Sequence, residues 1–480
     1  MKTEESDRLV EVQFKDDEGS KLGDSVFVVP YTISTNELEK LCNHLLDSEE
    51  FLPCSFFVNE LQISDTLGST IASGKVDVEK VVEIVYRLNA VYKVQAVTRC
   101  TSSLPGHGEA VISTLFSPDG NRLASGSGDT TVRFWDLSTE MPQFTCKGHN
   151  NWVLCLSWSP DGLKLASGCK SGNIIVWNPE NGERIGKALS AHRSWVNCIA
   201  WKPLHMDPNC RFLASSSKDT DIRIWDVVLG QCIRVLSGHT ASVTCVRWGG
   251  EDFIYSASHD RTIKMWRAND GVLCRTLSGH AHWVNTIALH TDYALRTGAF
   301  DPKDAHSRKA DAITMNPQDL KSLAQKLYDK VKGTGPERMV SGSDDFTLFF
   351  WSPASQKKPL TRMTGHQQLV NQVLFSPDGF LVASASFDHS IKVWCGKTGK
   401  FLRTLRGHVQ AVYQISWSSD SRLMVSGSAD STLKLWDAQS GKLLVDLPGH
   451  ADEVYAVDWS PNGERVVSGG KDKVLKLWRK

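Results

Sequence analysis

The sequence predicts a mainly-β protein, eight repeated four-stranded blades behind a smaller α+β domain. The first ground is a recurring histidine at 107, 149, 192, 239, 280, 366, 408 and 450, preceded by Gly in every case but Ala191. Successive spacings are 42, 43, 47, 41, 86, 42 and 42 residues, a period that marks a repeat architecture rather than one ordinary core. The second ground is a tryptophan closing each unit, at 135, 177, 225, 266, 351, 394, 436 and 478. The third is the residue six places earlier, which is Asp in seven units and Ser171 in the eighth.

Within a unit, runs such as Val132-Arg133-Phe134-Trp135 and Ile391-Lys392-Val393-Trp394 alternate as half-buried strands do. Ser117-Pro118-Asp119-Gly120 and Ser376-Pro377-Asp378-Gly379 suit tight turns with Pro second and Gly last. The Asp can accept a hydrogen bond from the opening His, and a Ser or Thr on an adjacent strand can link the His onward to the Trp. A charge-assisted bond of this kind contributes about 1.5–3 kcal/mol. The pairs His107–Asp129, His192–Asp219, His239–Asp260, His280–Asp345, His366–Asp388, His408–Asp430 and His450–Asp472 are therefore read as structural, not as catalytic dyads. Blade two, with Ser171, lacks the network and is expected to be the loosest. This punctuation resembles the WD-repeat family, whose members form circular β-propellers, over roughly residues 95–480.

A chain of 480 residues exceeds one ordinary core, which fits a ring plus a second domain. No apolar run reaches the ~18 residues of a membrane span, and the opening MKTEESDR is too polar for a signal peptide, so a soluble intracellular protein with no membrane partner is expected. The 12 cysteines include no Cys-x-x-Cys, and Cys155, Cys198 and Cys245 recur at one strand position, as reduced core thiols would. The net charge of zero hides an asymmetry. Residues 1–95 carry 9 Lys and Arg against 18 Asp and Glu (9 − 18 = −9), and the rest carries +9. A basic ring permits a polyanionic partner, although such an excess is also ordinary surface variation.

Residues 1–8 read as a tail and 9–89 as the α+β domain. In it, strands at 9–14 and 25–31 precede a capping box of Ser34 and Glu37 and a helix with Leu38, Leu41, Leu45 and Leu46 on one face. Strands at 54–63 and 81–86 follow, an order similar to the ubiquitin-like β-grasp. Tyr86-Arg87-Leu88-Asn89 runs straight into the ring, so the domain has no free C-terminal Gly-Gly and is expected to dock rather than be conjugated. Residues 90–480 read as the propeller, with residues 90–97 supplying the missing outer strand of the last blade. The long spacing after His280 reads as an insertion in blade five, residues 301–337, with a helix opened by Asn316-Pro317 and ended by Gly333.

Three positions after the blade-opening His stand Trp152, Trp195, Trp283 and Leu369, which suit either partner binding or packing between blades. Five positions after it, Asn197, Thr244, Asn285, Asn371, Tyr413 and Tyr455 are expected to offer hydrogen bonds around the central channel to a peptide or an RNA loop. No P-loop, HExxH or GxSxG occurs, and no nucleophile, base and orienter come together, so an interaction scaffold rather than an enzyme is expected.

The acidic β-grasp joined to eight blades through AVYKVQAVTRCTSSLPGHGEAV, with KGHNNWVLCLSWSPDG, SAHRSWVNCIAW and HAHWVNTIALHTDYALRTGAFD following, resembles the Notchless family of ribosome assembly factors. The resemblance implies a monomeric factor of nucleolus and nucleoplasm whose propeller binds precursors of the large (60S) ribosomal subunit, with their proteins, assembly factors and rRNA. It implies that the ubiquitin-like domain docks to the metal site of midasin, an AAA ATPase. Aligning GKVDVEKVVEIVYRLNAVYKV puts the family's metal-binding glutamate on Glu79, with Asp77 as the fallback. No cofactor of its own is implied, the Mg²⁺ being supplied by the partner and completed in trans by Glu79. A ubiquitin-pathway adaptor that selects substrates with the ring is the alternative, and a Notch signalling regulator is a further one.

Overall fold

Alternation of apolar residues builds the first sheet. In the computed structural model, which describes residues 8–16, 19–22, 26–46, 53–59, 61–63, 65–74, 81–88, 94–301 and 316–480, the chain divides into two units, Met1–Lys93 and Val94–Lys480. The first contains β1 (Leu9–Lys15), β2 (Phe27–Pro30), α1 (Thr35–Leu46), β3 (Cys54–Val58), β4 (Leu61–Gln62), α2 (Leu67–Gly74) and β5 (Val82–Leu88). β1 buries Val10, Val12 and Phe14, pairs antiparallel with β2 and parallel with β5, and the sheet runs β2-β1-β5-β3-β4. First and last strands side by side in parallel, crossed by a helix, are the β-grasp.

At the start of α1 the Ser34 backbone N–H and hydroxyl both donate to the Glu37 carboxylate, at 2.9 and 2.8 Å, and hold that carboxyl below its ordinary range. Leu38 and Cys42 are the buried residues of the helix. α2 has no counterpart in the sequence reading, because Gly68, Ser69, Thr70 and Ser73 are weak helix formers. It forms nonetheless, with Leu67 and Ile71 buried in the core.

Among the described residues the second unit holds eight four-stranded antiparallel sheets. Blade one, Val111–Phe116, Arg122–Ser127, Thr131–Asp136 and Met141–Lys147, sets the pattern, with a nearly all-buried second strand and a mostly exposed fourth. Blade eight takes three strands from the C-terminal end, and its outer strand is β6 (Arg99–Leu104), antiparallel to Leu475–Arg479. This corrects the expected closure by residues 90–97. An outer strand lies mostly in water and can be as polar as Arg-Cys-Thr-Ser-Ser-Leu, whereas apolarity singled out the preceding segment. There Val94 and Val97 are buried without joining a strand, and the Val94 N–H donates to Asp420 at 2.8 Å.

Neighbouring blades are clasped by side chains of the inner strands. Asn197 Nδ2 donates to the Val243 carbonyl at 2.7 Å, Thr244 Oγ1 to Val284 at 2.7 Å, Asn285 Nδ2 to Val370 at 3.1 Å and Asn371 Nδ2 to Tyr413 at 2.6 Å. Further along, Gln372 Oε1 accepts from the Ile415 N–H, Gln414 Oε1 from Val457 and Asp458 Oδ2 from Phe116. The residues five places after the His were expected to serve a ligand at the channel, but those on blades three to six are engaged in this clasp.

The repeat breaks in blade five between Leu289 and Met339, earlier than the expected start at 301. α3 (Asp292–Thr297) follows the inner strand directly, and α4 (Pro317–Lys332) comes after it with Gly333 at its C-cap. α4 lays Leu320, Leu323 and Ala324 on the ring core. Tyr328 is buried too, stacked on His205 with ring centroids 4.7 Å apart, and its hydroxyl donates to the buried Glu337 at 3.0 Å. Burial pushes the Glu337 carboxyl up, against the bonds it accepts.

Candidate functional site: the His face of the ring

The loops carrying the blade-opening His and the turns carrying the Asp lie on one face of the ring. In seven blades the His Nδ1–H donates to the Asp at 2.6–2.9 Å. On its other side the His Nε2 lies 2.7–2.8 Å from a serine hydroxyl. That hydroxyl accepts from the closing Trp indole N–H at 2.8–2.9 Å.

Asp, His and Ser in this order and at these distances have the geometry of a hydrolase triad, but they cannot act as one. Each serine, Ser125 among them, is 0 % exposed and already takes the Trp N–H, so no substrate reaches the hydroxyl. The carboxylates are saturated as well. Asp129, for example, accepts from the Gly108 N–H, the Thr131 N–H and the Thr131 hydroxyl. Burial alone would raise these carboxyls, but bonds from the His ring and the turn hold all seven below the ordinary range.

Blade two keeps half of this chain, which corrects the expectation that it lacks the network. His149 Nε2 meets Ser167 at 2.6 Å and Trp177 donates to the same hydroxyl at 2.7 Å. With Ser171 in place of Asp, the buried His149 Nδ1 has no partner, and burial pulls the ring down to about 4.

Above this layer stand the tryptophans three places after the His. Trp152, Trp195 and Trp283 are 48 %, 38 % and 46 % exposed, far from the burial that inter-blade packing requires, while Leu369 is half-buried. Lys170 Nζ lies 4.9 Å from the Trp152 ring and 4.6 Å from that of Trp195, and Lys218 Nζ lies 4.4 Å from Trp195. The His259 ring stacks on Trp283 at 4.3 Å, its plane 15° from the indole. The lysines and His259 were not singled out from the sequence, although one signal was there, since all three immediately precede the Asp or its substitute.

A channel of about 430 Å³ runs along the inner strands, and α3 lies across it. From blade five, Arg296 reaches Asp458 of blade eight at 2.5 and 2.9 Å and the Phe116 carbonyl of blade one at 3.3 Å. Among the described residues no group of three or more His, Cys, Asp and Glu could hold a metal ion. All 12 cysteines are free thiols, Cys100 exposed among them. No described helix is long and apolar enough to cross a membrane. Glu79 and Asp77 lie outside the described residues.

Comparison with known proteins agrees with this two-part layout. The family model for the NLE (NUC135) domain matches residues 10–71, and that for the WD domain, G-beta repeat, matches 98–136, 140–178, 183–226, 230–267, 357–395, 399–437 and 441–479. These are seven of the eight blades, and the one missed is blade five, whose insertion breaks the repeat spacing. The chain is 54 % identical to the Notchless protein homolog of Arabidopsis thaliana over 402 residues, covering 84 % of this chain and 83 % of the relative. It is 56 % identical to Protein Notchless of Drosophila melanogaster over 375 residues, 78 % and 76 % of the two chains. It is 46 % identical to Ribosome assembly protein 4 of Saccharomyces cerevisiae over 408 residues, 81 % and 78 %. Among solved structures, the computationally designed Ika8 protein is similar with a TM-score of 0.62 at 28 % identity, covering 80 % of this chain and all of that one.

Proposed function

The chain belongs to the Notchless family, and on that premise we propose that it is a non-enzymatic assembly factor of the large ribosomal subunit. In this reading the ring grips the precursor particle and the β-grasp domain engages a midasin-type AAA ATPase, so that force generated by the ATPase is delivered to the particle. The observation that carries the reading is 46 % identity, over four fifths of the chain, to a protein named Ribosome assembly protein 4. The saturated, inaccessible His–Asp–Ser sets support a scaffold over an enzyme. Action would be in the nucleolus and nucleoplasm, as a monomer.

Docking to the ATPase would rest on one carboxylate. Mg²⁺ takes near-octahedral oxygen ligands, and a site with one position open accepts a single carboxylate from another protein. The family resemblance of its surroundings supports Glu79 in this role, with Asp77 as the fallback. Shortening Glu79 by one methylene in Glu79→Asp would withdraw the oxygen from the metal. Capture of the full chain by the immobilised metal-site domain of midasin in Mg²⁺ is expected to be lost in Glu79→Asp and in EDTA, with the melting temperature unchanged. Undiminished capture by the variant contradicts the docking role.

The ubiquitin-like order of the first sheet favours a second reading, an adaptor that selects substrates for the ubiquitin pathway. It predicts co-purification with ligase or proteasome subunits instead. The name of the Drosophila relative points to a Notch signalling role as a further possibility.

A further inference from the structure

The exposed aromatic and basic side chains on the His face of blades two to five form an arc that the fold does not require. We propose that this arc is a docking site for single-stranded RNA, its indoles stacking bases and its lysines meeting phosphates. The inference goes beyond the assembly reading and does not need it, since it concerns what the isolated chain binds.

The repeats are their own control. Where the arc has Trp152, Trp195 and Trp283, the same position elsewhere is Ala110, Ser242, Leu369, Ala411 or Glu453, and each blade closes the same four-stranded sheet. Where it has Lys170, Lys218 and His259, others place Gly128, Asp344, Phe387 and Ala429. Neither position is demanded by packing. Their coincidence puts Lys170 between two indoles and a second ammonium on Trp195. A base stacked on either ring would bring its phosphate to a cation already in place.

Charge on these loops has the same sense. In the His-face loops of blades two to four, exposed Arg193, Lys218 and Arg261 and half-buried Lys170 face one carboxylate outside the His network, Asp221, which accepts from Ser237 at 2.7 Å, while blade five, at the end of the arc, carries Asp344, 3.5 Å from His282 Nδ1. Blade eight differs, since its Lys471 is paired with Asp452 and Glu453 at 3.5 and 3.3 Å. The blade that lacks the network Asp is blade two, so Ser171 leaves His149 unpaired and also leaves Lys170 without a carboxylate beside it in the chain. Local structure is weakened at the point where a negative charge would repel a phosphate.

The loops offer no free edge to an extended peptide. The N–H groups of Arg193 and Thr240 go to Asp219 and Asp260, and those of Lys170, Lys218 and His259 go to the carbonyls of Trp152, Trp195 and Ser242. Recognition here must run through side chains, and stacking combined with cations suits a single strand with bases exposed.

The test is fluorescence anisotropy of the purified full chain with a labelled 15-nucleotide single-stranded RNA of mixed sequence, at 50 and 200 mM salt. Expected are binding that weakens with salt, quenching of tryptophan emission, and a loss of affinity of about tenfold for each of Trp152→Ala and Trp195→Ala. Lys170→Glu with Lys218→Glu should weaken binding further and flatten the salt dependence. Ser171→Asp should weaken it severalfold while raising the melting temperature, which separates lost binding from lost folding. The proposal is overturned by any of three results: no binding at 50 mM salt, affinity insensitive to both tryptophans, or displacement of the RNA by a Glu/Asp-rich 15-residue peptide at equal or lower concentration.

Discussion

Blade two and its seven neighbours share strand order and the Ser–Trp half of the network, and within that network they differ at one side chain, Ser171 for Asp. In the seven, a carboxylate fixes the His ring, the loop after it and the turn around itself, as Asp388 does through His366, the Gln367 N–H and Ser390. In blade two these bonds are absent and His149 is left neutral and half-partnered, yet its sheet still closes, with an outer strand cut to Leu189–Ser190. The ring as a whole, clasped at blade two by the Trp158 indole N–H on the Leu115 carbonyl at 3.1 Å and the Trp201 indole N–H on the Ser157 carbonyl at 3.0 Å, tolerates one incomplete blade. The carboxylate therefore stabilises a blade without being needed to form it.

That comparison can be broken from the intact side. Asp388→Ser, which copies blade two into blade six, removes several charge-assisted bonds and strands a buried imidazole, and should cost about 2–3 kcal/mol of unfolding free energy, read by urea denaturation. Loss of folding altogether would mean that blade two is sustained by something other than the clasp.

A slightly smaller effect concerns the turns. The residue after the Asp position has positive φ in every blade, and it is Gly172 (φ +91°) in blade two and Thr130 (φ +67°) in blade one. A Cβ on Gly172 would press on the carbonyl oxygen of His192, well inside van der Waals contact. Gly172→Ala should cost about 2 kcal/mol, whereas Thr130→Ala should stay within about 0.5 kcal/mol. A cost of only about 1 kcal/mol at Gly172 would show that the glycine serves only its dihedral angle.

Repair of blade two should give about 1 kcal/mol. Ser171→Asp offers His149 the missing acceptor, and the gain should depend on pH. His149 is held at about 4 in the folded chain, below the ordinary value of roughly 6.5, so on acidification the unfolded chain takes up the proton first. Wild-type stability from this group is thus intact above about 6.5 and lost as pH falls towards 4. The Asp partner raises the ring again, so the advantage of the variant should widen between pH 7 and pH 5, measured by paired melts. The seven network carboxylates have the opposite position on the scale. Held below their ordinary value of about 3.9, they stabilise the fold above it and release that stability only in stronger acid.

Strong punctuation made much of the ring legible in the sequence. Each His, Asp and Trp position of the network was visible because a fixed spacing forces residues of fixed chemistry, and the capping box of Ser34 and Glu37 was visible for the same reason. The closing strand was misplaced because an outer strand has little to bury, so Arg99–Leu104 carries no apolar signature, while Val94 and Val97, which do, pack without pairing. α3 was missed because a helix of six residues has too few turns to show a period. The clasp of Asn197, Thr244, Asn285 and Asn371 could not be told from a ligand-facing rim, since both uses call for a short polar side chain at the same register. Of the candidate site, the sequence pattern singles out the tryptophans but not Lys170, Lys218 and His259, which come from different loops and meet the indoles only after the blades fold.

Sedimentation tests most directly the proposal that the chain is a scaffold travelling with immature large subunits. Tagged full-length chain in a nuclear extract resolved on a sucrose gradient should peak with precursors of the large ribosomal subunit. A peak confined to the top of the gradient, or one that follows ubiquitin ligase or proteasome subunits, would contradict it.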